Sequence, residues 1–197
     1  MTPSSPPVVA LVLAAGAGRR FVGAGHKLDA DVGGRTILDR ALGHALEAGI
    51  GPVVAVVGAP GAHRLPAGVI EVVNDRWPEG QATSLLAGIA RAHDLGASAV
   101  VIGLGDQPGI EPTAWRAVAA VDEPIVVATY GGRHGHPVRL RADTWPLLPA
   151  TGDSGARDVL RGHRELVTAV PCDGSPFDID TVEDLRTWQS NSSTSSP

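Results

Sequence analysis

Valine-rich apolar runs alternate with segments of helical period along most of this chain. Val8–Leu13 is a continuous apolar run of strand length. Thr36–Ala48 then places Ile37, Leu38, Ala41, Leu42 and Ala45 on one side of a helix, and Gly49 supplies a stop. Pro52–Val57 and Val69–Val73 read as strands. Gln81–Leu95 returns to a helical period through Leu85, Ile89 and Ala92. Ala99–Leu104 is a strand that runs into Gly105-Asp106. Glu111–Val121 is a helix with Pro112 in its first turn, and Pro124–Thr129 is a further strand. Apolar strands of this kind, separated by helices, are buried on both sides. The pattern predicts a doubly wound α/β domain with a mostly parallel sheet and helices on both faces.

The alternation breaks after Thr129. YGGRHGHPVRL reads as a Gly-rich turn entering a short strand, and TGDSGARDVLRGH as a loop with a helix starting near Gly155. A last helix is expected from about Thr181 to Gln189, capped by Thr181 and Asp184. The expected organisation is a polar, disordered tail at 1–7, one domain at 8–189 and a low-complexity, disordered tail at 190–197. No internal repeat and no linker interrupts the domain.

Composition narrows the function classes. The chain has 197 residues, 43% hydrophobic and 19% charged, in the range of a folded domain. A formal net charge of −5 argues against a nucleic-acid partner. One cysteine, Cys172, permits neither an intrachain disulfide nor a cysteine-based metal site. No run is long enough for a membrane span and no signal-peptide pattern opens the chain, so the expected location is the cytoplasm.

Candidate chemistry gathers at predicted strand ends, where ligands of such sheets bind. The first strand runs into Leu13-Ala14-Ala15-Gly16-Ala17-Gly18, then Arg19 and Arg20, with Lys27 seven residues after Arg20. Small residues let the backbone N–H groups approach a ligand, and the basic side chains suit a polyphosphate. The plain alternative is a Gly-rich strand-to-helix turn. A dinucleotide fingerprint is excluded because Phe21 stands where its third glycine belongs. A P-loop is excluded because Leu28, not Ser or Thr, follows Lys27.

Asp106 in GLGDQPGI can hold Mg²⁺ through its carboxylate or cap the turn before Pro108-Gly109. Asp178 and Asp180 in FDIDTVED share one side if that stretch is extended; either can add a metal ligand, or Asp180 can cap the last helix. Asp153 and Arg157 are four apart, an exposed pair if helical and a ligand contact if in a loop. His134 and His136 have no third ligand nearby, which disfavours zinc and leaves His136 as a substrate contact. Asn74, Trp77, Gly80 and Ser84 stand in NDRWPEGQATS before a helix, as ligand contacts or as a capped helix start. No Ser or Cys sits in a nucleophile elbow.

LAAGAGRR with Lys27, NDRWPEGQATSLLAG, GDQPGI, GRHGHPV, GDSGARDVL and DIDTVEDL occur in that order. Over residues 8–189 the set resembles the MobA-like NTP transferase family, and within it the molybdenum cofactor cytidylyltransferase (MocA-like) branch. The resemblance implies a Rossmann-like fold of the nucleotide-diphospho-sugar transferase type and Mg²⁺-dependent transfer of a nucleoside monophosphate to a phosphate, with pyrophosphate released. It implies that Gly16, Gly18, Arg20 and Lys27 hold the triphosphate, that Leu13, Ala14 and Ala15 belong to the same nucleotide site, and that Asn74, Gly80 and Ser84 lie near base and ribose. It makes Arg20, Lys27 and Asp106 catalytic and Asp106 and Asp180 metal ligands, and has His136, Asp153 and Arg157 bind the substrate, facing the acceptor or closing the site. Ala15 in LAAG, with GDQP, resembles the CTP users. The implied partners are CTP, a small phosphorylated acceptor such as molybdopterin, and a molybdoenzyme or maturation factor that receives the product. Guanylyl or other nucleotidyl transfer to a different acceptor, and a non-catalytic cofactor binder, are the competing readings. Three departures stand out: one residue inserted within Arg20-Phe21-Val22-Gly23 before Lys27, His26 in place of Asn or Asp, and Val182 in place of proline.

Overall fold

The computed structural model describes residues 7–22, 25–59 and 61–193. Gly23 of the expected insertion, most of the expected N-terminal tail, and residues 194–197 lie outside them. Among the described residues the strands form one sheet of seven, in the order β3-β2-β1-β4-β6-β5-β7. They are β1 (Val8–Ala14), β2 (Val53–Val57), β3 (Val69–Val73), β4 (Ala99–Leu104), β5 (Ile125–Tyr130), β6 (Arg133–Arg141) and β7 (Val167–Pro171). The helices are α1 (Ile37–Ala48), α2 (Gln81–Asp94), α3 (Pro112–Ala119), α4 (Ala156–Gly162) and α5 (Val182–Ser193). No helix is long and apolar enough to cross a membrane, among the described residues.

The alternation of side chains along β1 explains the two layers. Ala10, Val12 and Ala14 turn to the face covered by α1, α3 and α5, where Leu38, Leu42, Trp115 and Trp188 pack. Val9 and Leu11 turn to the other face, against Leu85 and Ile89 of α2 and Val159 of α4. Local chemistry sets the helix ends. The Thr36 hydroxyl accepts from the Asp39 N–H at 3.0 Å to start α1, and Gly49 ends it in the left-handed region. Thr181 and Asp184 cap α5 reciprocally, at 3.1 and 2.8 Å.

β1 to β4 are mutually parallel, but β6 runs antiparallel to both β4 and β5. Its nine residues make it longer than the short strand the sequence suggests. It follows β5 through the tight Gly131-Gly132 turn, which leaves an antiparallel hairpin as the available route. β7, parallel to β5 at the sheet edge, has no counterpart in the sequence reading. It is five residues long, ends in Pro171 and is only partly covered, so its apolar signal is weak. α5 runs to Ser193, past the boundary expected at 189.

The sheet order reverses between β1 and β4, which creates a crevice beyond their carboxyl ends. The Gly105 N–H donates to the Leu13 carbonyl at 2.9 Å and pins these two strand ends together. The Ile179 N–H donates to the Asp106 carbonyl at 3.0 Å and draws the segment before α5 over the same crevice.

Candidate active site

Three distant stretches converge on Lys27. Its Nζ donates to Asp106 Oδ2 at 2.6 Å and to Asp180 Oδ1 at 2.8 Å. Asp106 hangs from the end of β4, and Asp180 from the extended segment before α5. Burial alone would lower the lysine pKa; the charge and hydrogen bond of Asp106, then those of Asp180, outweigh it and raise it. Arg20 reaches the other oxygen of Asp180 at 2.8 Å from an exposed position. Asp106 Oδ1 is buried with no hydrogen-bond partner among the described residues.

Lys27 begins a single tight helical turn, Lys27–Asp29. His26 caps it: the His26 Nδ1 accepts from the Leu28 N–H at 3.2 Å. That leaves the proton on Nε2, which donates to the Gly16 carbonyl at 2.9 Å. The histidine that departs from the family pattern thus ties the Gly-rich loop to the turn that carries the lysine. Gly18, at φ +59°, is required there, since a Cβ would stand 3.1 Å from Lys27 Cγ. His63 approaches from the other side and pairs with Asp29 at 2.9 Å.

Two cavities open beside this cluster. The smaller, about 350 Å³, is walled by Leu13, Ala14, Ala15 and Gly16 on one side and by Trp77, Pro78, Gly80 and Ser84 on the other. Arg19, Lys27, Asp106 and Asp153 also reach it. The wider, about 890 Å³, has an apolar floor of Val127, Val138 and Leu160 and a rim of Arg133, Arg157, Arg161 and Arg164. Gln81 and Leu104 belong to both walls, and Asp106 and Gln107 face one cavity each.

Most of the residues read from the sequence meet here, with four differences. Asn74 stands behind the wall rather than on it. Its amide donates to Thr83 Oγ1 and Ser84 Oγ, both at 2.9 Å, and accepts from the Arg76 N–H, so it fastens the end of β3 to the start of α2. Arg19, not Arg20, lines the smaller cavity. Asp153 lines the smaller cavity and Arg157 the wider one, so the two residues expected to act together stand in different cavities. The cause is the docking of Gly152, which donates to the Glu79 carbonyl and accepts from the Ala82 N–H; this close approach admits no side chain at Gly80, whose φ is +115°. Finally, Asp178 and Asp180 do different work. Ile179 between them is fully buried, so both turn outward; Asp180 meets Lys27, while Asp178 accepts from Gln107 Nε2 at 2.7 Å. Burial, then the nearby Asp106 charge, raises the Asp178 pKa.

The sequence reading passed over Arg133, Arg161, Arg164 and Gln81. One signal was present. Lys27 is the only lysine of the chain, against fifteen arginines, so the choice of ammonium over guanidinium occurs once, between two carboxylates. His134 and His136 do not join a three-residue group able to hold a metal, among the described residues.

Two outcomes are expected. Asn74→Ala lowers stability by about 1–3 kcal/mol, because the buried hydroxyls of Thr83 and Ser84 lose a partner, while ligand affinity of the folded protein is kept. Urea unfolding paired with calorimetry reads both, and an affinity loss without a stability loss contradicts the placement. His136 lines the wider cavity, and burial, then Arg157, lowers its pKa from 6.5 to about 4. Its ring is therefore neutral at pH 7. The unfolded chain takes up this proton first, so stability is lost as pH falls from 6.5 towards 4. An NMR titration of the ring with a midpoint near the ordinary value contradicts this.

Comparisons with known proteins show the family. The sequence profile described as "MobA-like NTP transferase domain" matches residues 10–169. The chain is 34% identical to the protein named nicotine blue oxidoreductase of Paenarthrobacter nicotinovorans, over 91% of this chain and 95% of that one. It is 30% identical to purine catabolism protein PucB of Bacillus subtilis (strain 168), over the same shares. Among solved structures, Rv0371c of Mycobacterium tuberculosis H37Rv superposes with a TM-score of 0.82 at 28% identity, covering 95% of this chain and 100% of that one. A complex of Rv0371c with manganese superposes with a TM-score of 0.77, also at 28% identity, covering 93% of this chain and 98% of that one. With its profile match, its sheet order and the glycine loop set beside Lys27 and Asp106, the chain belongs to the MobA-like NTP transferase family, a family of nucleotidyltransferases.

Proposed function

We propose that the protein transfers CMP from CTP to the phosphate of molybdopterin, releasing pyrophosphate. The observation that carries this reading is the pair of cavities meeting at Gln81, Leu104 and the Asp106-Gln107 step. One has the loop and charges for a triphosphate. The other has four arginines over an apolar floor, which suits a planar organic acceptor with an anionic end. In a chain of net charge −5, four arginines gathered at one rim create a local field opposite to the whole.

The loop N–H groups, Arg19 and Lys27 bind the triphosphate of CTP. The arginine rim and neutral His136 orient the acceptor so that its phosphate oxygen faces the α-phosphorus in line with the leaving pyrophosphate. The acceptor phosphate is already ionised, so no side-chain base is required. The reacting groups are both anionic, and the basic side chains around them lower that repulsion. Asp106 and Asp180 would hold Mg²⁺, and the unpartnered, buried Asp106 Oδ1 fits an oxygen ligand for a hard cation. When bound, Mg²⁺ supplies Lewis-acid polarisation and charge neutralisation at the phosphates. The manganese complex of Rv0371c supports a divalent ion at this fold.

CTP is favoured over GTP on the ground that Ala15, in the loop lining the smaller cavity, carries a methyl group where a glycine would leave more room for a purine. Ala15 is buried, and a side chain at Gly58 would stand 2.9 Å from the Trp77 indole and 3.3 Å from the Ala15 carbonyl, so this wall is closely fitted. Differences of a methyl group discriminate by about 1–3 kcal/mol, a preference and not exclusivity. A second reading, oxidoreduction of a small molecule, is favoured by the name of the Paenarthrobacter relative. It gives the Lys27–Asp106–Asp180 cluster no evident task.

Pyrophosphate release from CTP, Mg²⁺ and molybdopterin tests the proposal. The wild-type protein turns over with a higher specificity constant for CTP than for GTP, and Asp106→Asn lowers turnover by about a hundredfold or more. Full activity of Asp106→Asn, or oxidation of reduced nicotinamide dinucleotide with no pyrophosphate release, contradicts it.

A further inference from the structure

The cluster around Lys27 pairs its charges directly, with Asp178 nearby but hydrogen-bonded to Gln107. Two carboxylates, Asp106 and Asp180, face two cations, Lys27 and Arg20. Lys27 Nζ lies 2.6 Å from Asp106 Oδ2 and 2.8 Å from Asp180 Oδ1, so the ammonium fills the wedge between them. Arg20 holds the remaining oxygen of Asp180. Only Asp106 Oδ1 is left without a partner. A divalent cation would need this same wedge. An ammonium and a divalent ion in contact repel strongly where water is scarce, and the Lys27 side chain is 10% exposed.

Lys27 also has another place to go. It lines the smaller cavity together with Gly16 and Arg19, where a triphosphate would bring an excess of negative charge. The residue type fits a part that moves: a compact ammonium on a flexible stem, used once in a chain whose other fixed cations are all arginines with planar, geometry-bound heads.

We propose that Lys27 is the resident counter-ion of the Asp106–Asp180 pair and keeps a divalent cation out until a nucleoside triphosphate draws its ammonium onto the phosphates. The proposal rests on reading the smaller cavity as the NTP site. Free protein then holds no tightly bound metal, and the carboxylates remain paired in its absence. Nucleotide and metal enter as one event: the nucleotide frees the carboxylates, and the ion takes the oxygens Lys27 leaves. Such coupling is reciprocal, so each ligand raises the affinity for the other.

The test is metal binding, read without turnover. Free Mn²⁺ is followed by electron paramagnetic resonance as it is titrated into wild-type protein, Lys27→Met and Lys27→Arg, with and without a non-hydrolysable CTP analogue. Lys27→Met tightens Mn²⁺ binding in the absence of nucleotide by about tenfold or more, while Lys27→Arg, which keeps the charge, does not. Equal Mn²⁺ affinity of wild type and Lys27→Met overturns the proposal. So does wild-type protein that binds Mn²⁺ alone as tightly as with the analogue. If no protein binds Mn²⁺ even with the analogue, the metal site itself is wrong, and the proposed function falls with it. Because Lys27 is the only lysine, ¹⁵N-lysine labelling gives one ammonium signal in the unaltered protein. The metal-free analogue shifts that signal and Mg²⁺ alone leaves it in place; the reverse pattern overturns the proposal without any variant.

Discussion

The site depends on one ammonium group. Lys27 is separated from Asp106 by 79 positions and from Asp180 by 153, yet it hydrogen-bonds both. Without it, the carboxylates of Asp106 and Asp180 would face each other, with Asp178 close by and no ammonium between them. Removing one partner of a fully buried ion pair costs about 3–5 kcal/mol; the cost here is smaller, because Asp106 and Asp180 remain about a fifth exposed. The sheet prepares this meeting. Its order reverses between β1 and β4, so the loop bearing the lysine turn and the strand end bearing Asp106 emerge side by side. His26 adds the fine placement by holding both the turn and the Gly16 carbonyl.

The two cavities differ in the chemistry of their walls. The smaller is lined by the glycine loop with Arg19 and Lys27; the wider has four guanidinium groups around an apolar floor. The division follows the fold. The first cavity is built from parallel β1 and α2, and the second from the β5–β6 hairpin and α4. Relatives that share the frame carry names as different as an oxidoreductase and a purine catabolism protein. A shared frame of this kind does not fix the reaction, since function is written in particular side chains and not in topology.

How much of this was legible in the sequence follows from the range of each signal. β1 to β4 and their helices are local patterns of apolar period, and they were readable. So was the capping of α5, since Thr181 and Asp184 act within one turn. β7 was hidden because an edge strand buries little, and the antiparallel course of β6 depends on a pairing that no local pattern states. In the site, the glycine loop, Lys27 and Asp106 announced themselves by residue type at strand ends. Asn74 misled for a physical reason: a buried amide that satisfies its own neighbours looks the same in sequence as one that meets a ligand. Arg161 and Arg164 carry no local signal; one stands on α4 and the other just beyond it, and only the fold brings them to a cavity. The assignment of Asp178 and Asp180 to separate partners needed the burial of Ile179, which two-residue spacing alone does not reveal.

A crystal structure of the protein with Mg²⁺ and a non-hydrolysable CTP analogue tests the central claim most directly. The account predicts the triphosphate against Ala14–Gly16, the Lys27 ammonium on a phosphate oxygen, and the metal on Asp106 and Asp180. A nucleotide in the arginine-rimmed cavity, or Lys27 still lodged between both carboxylates with the metal elsewhere, would contradict it.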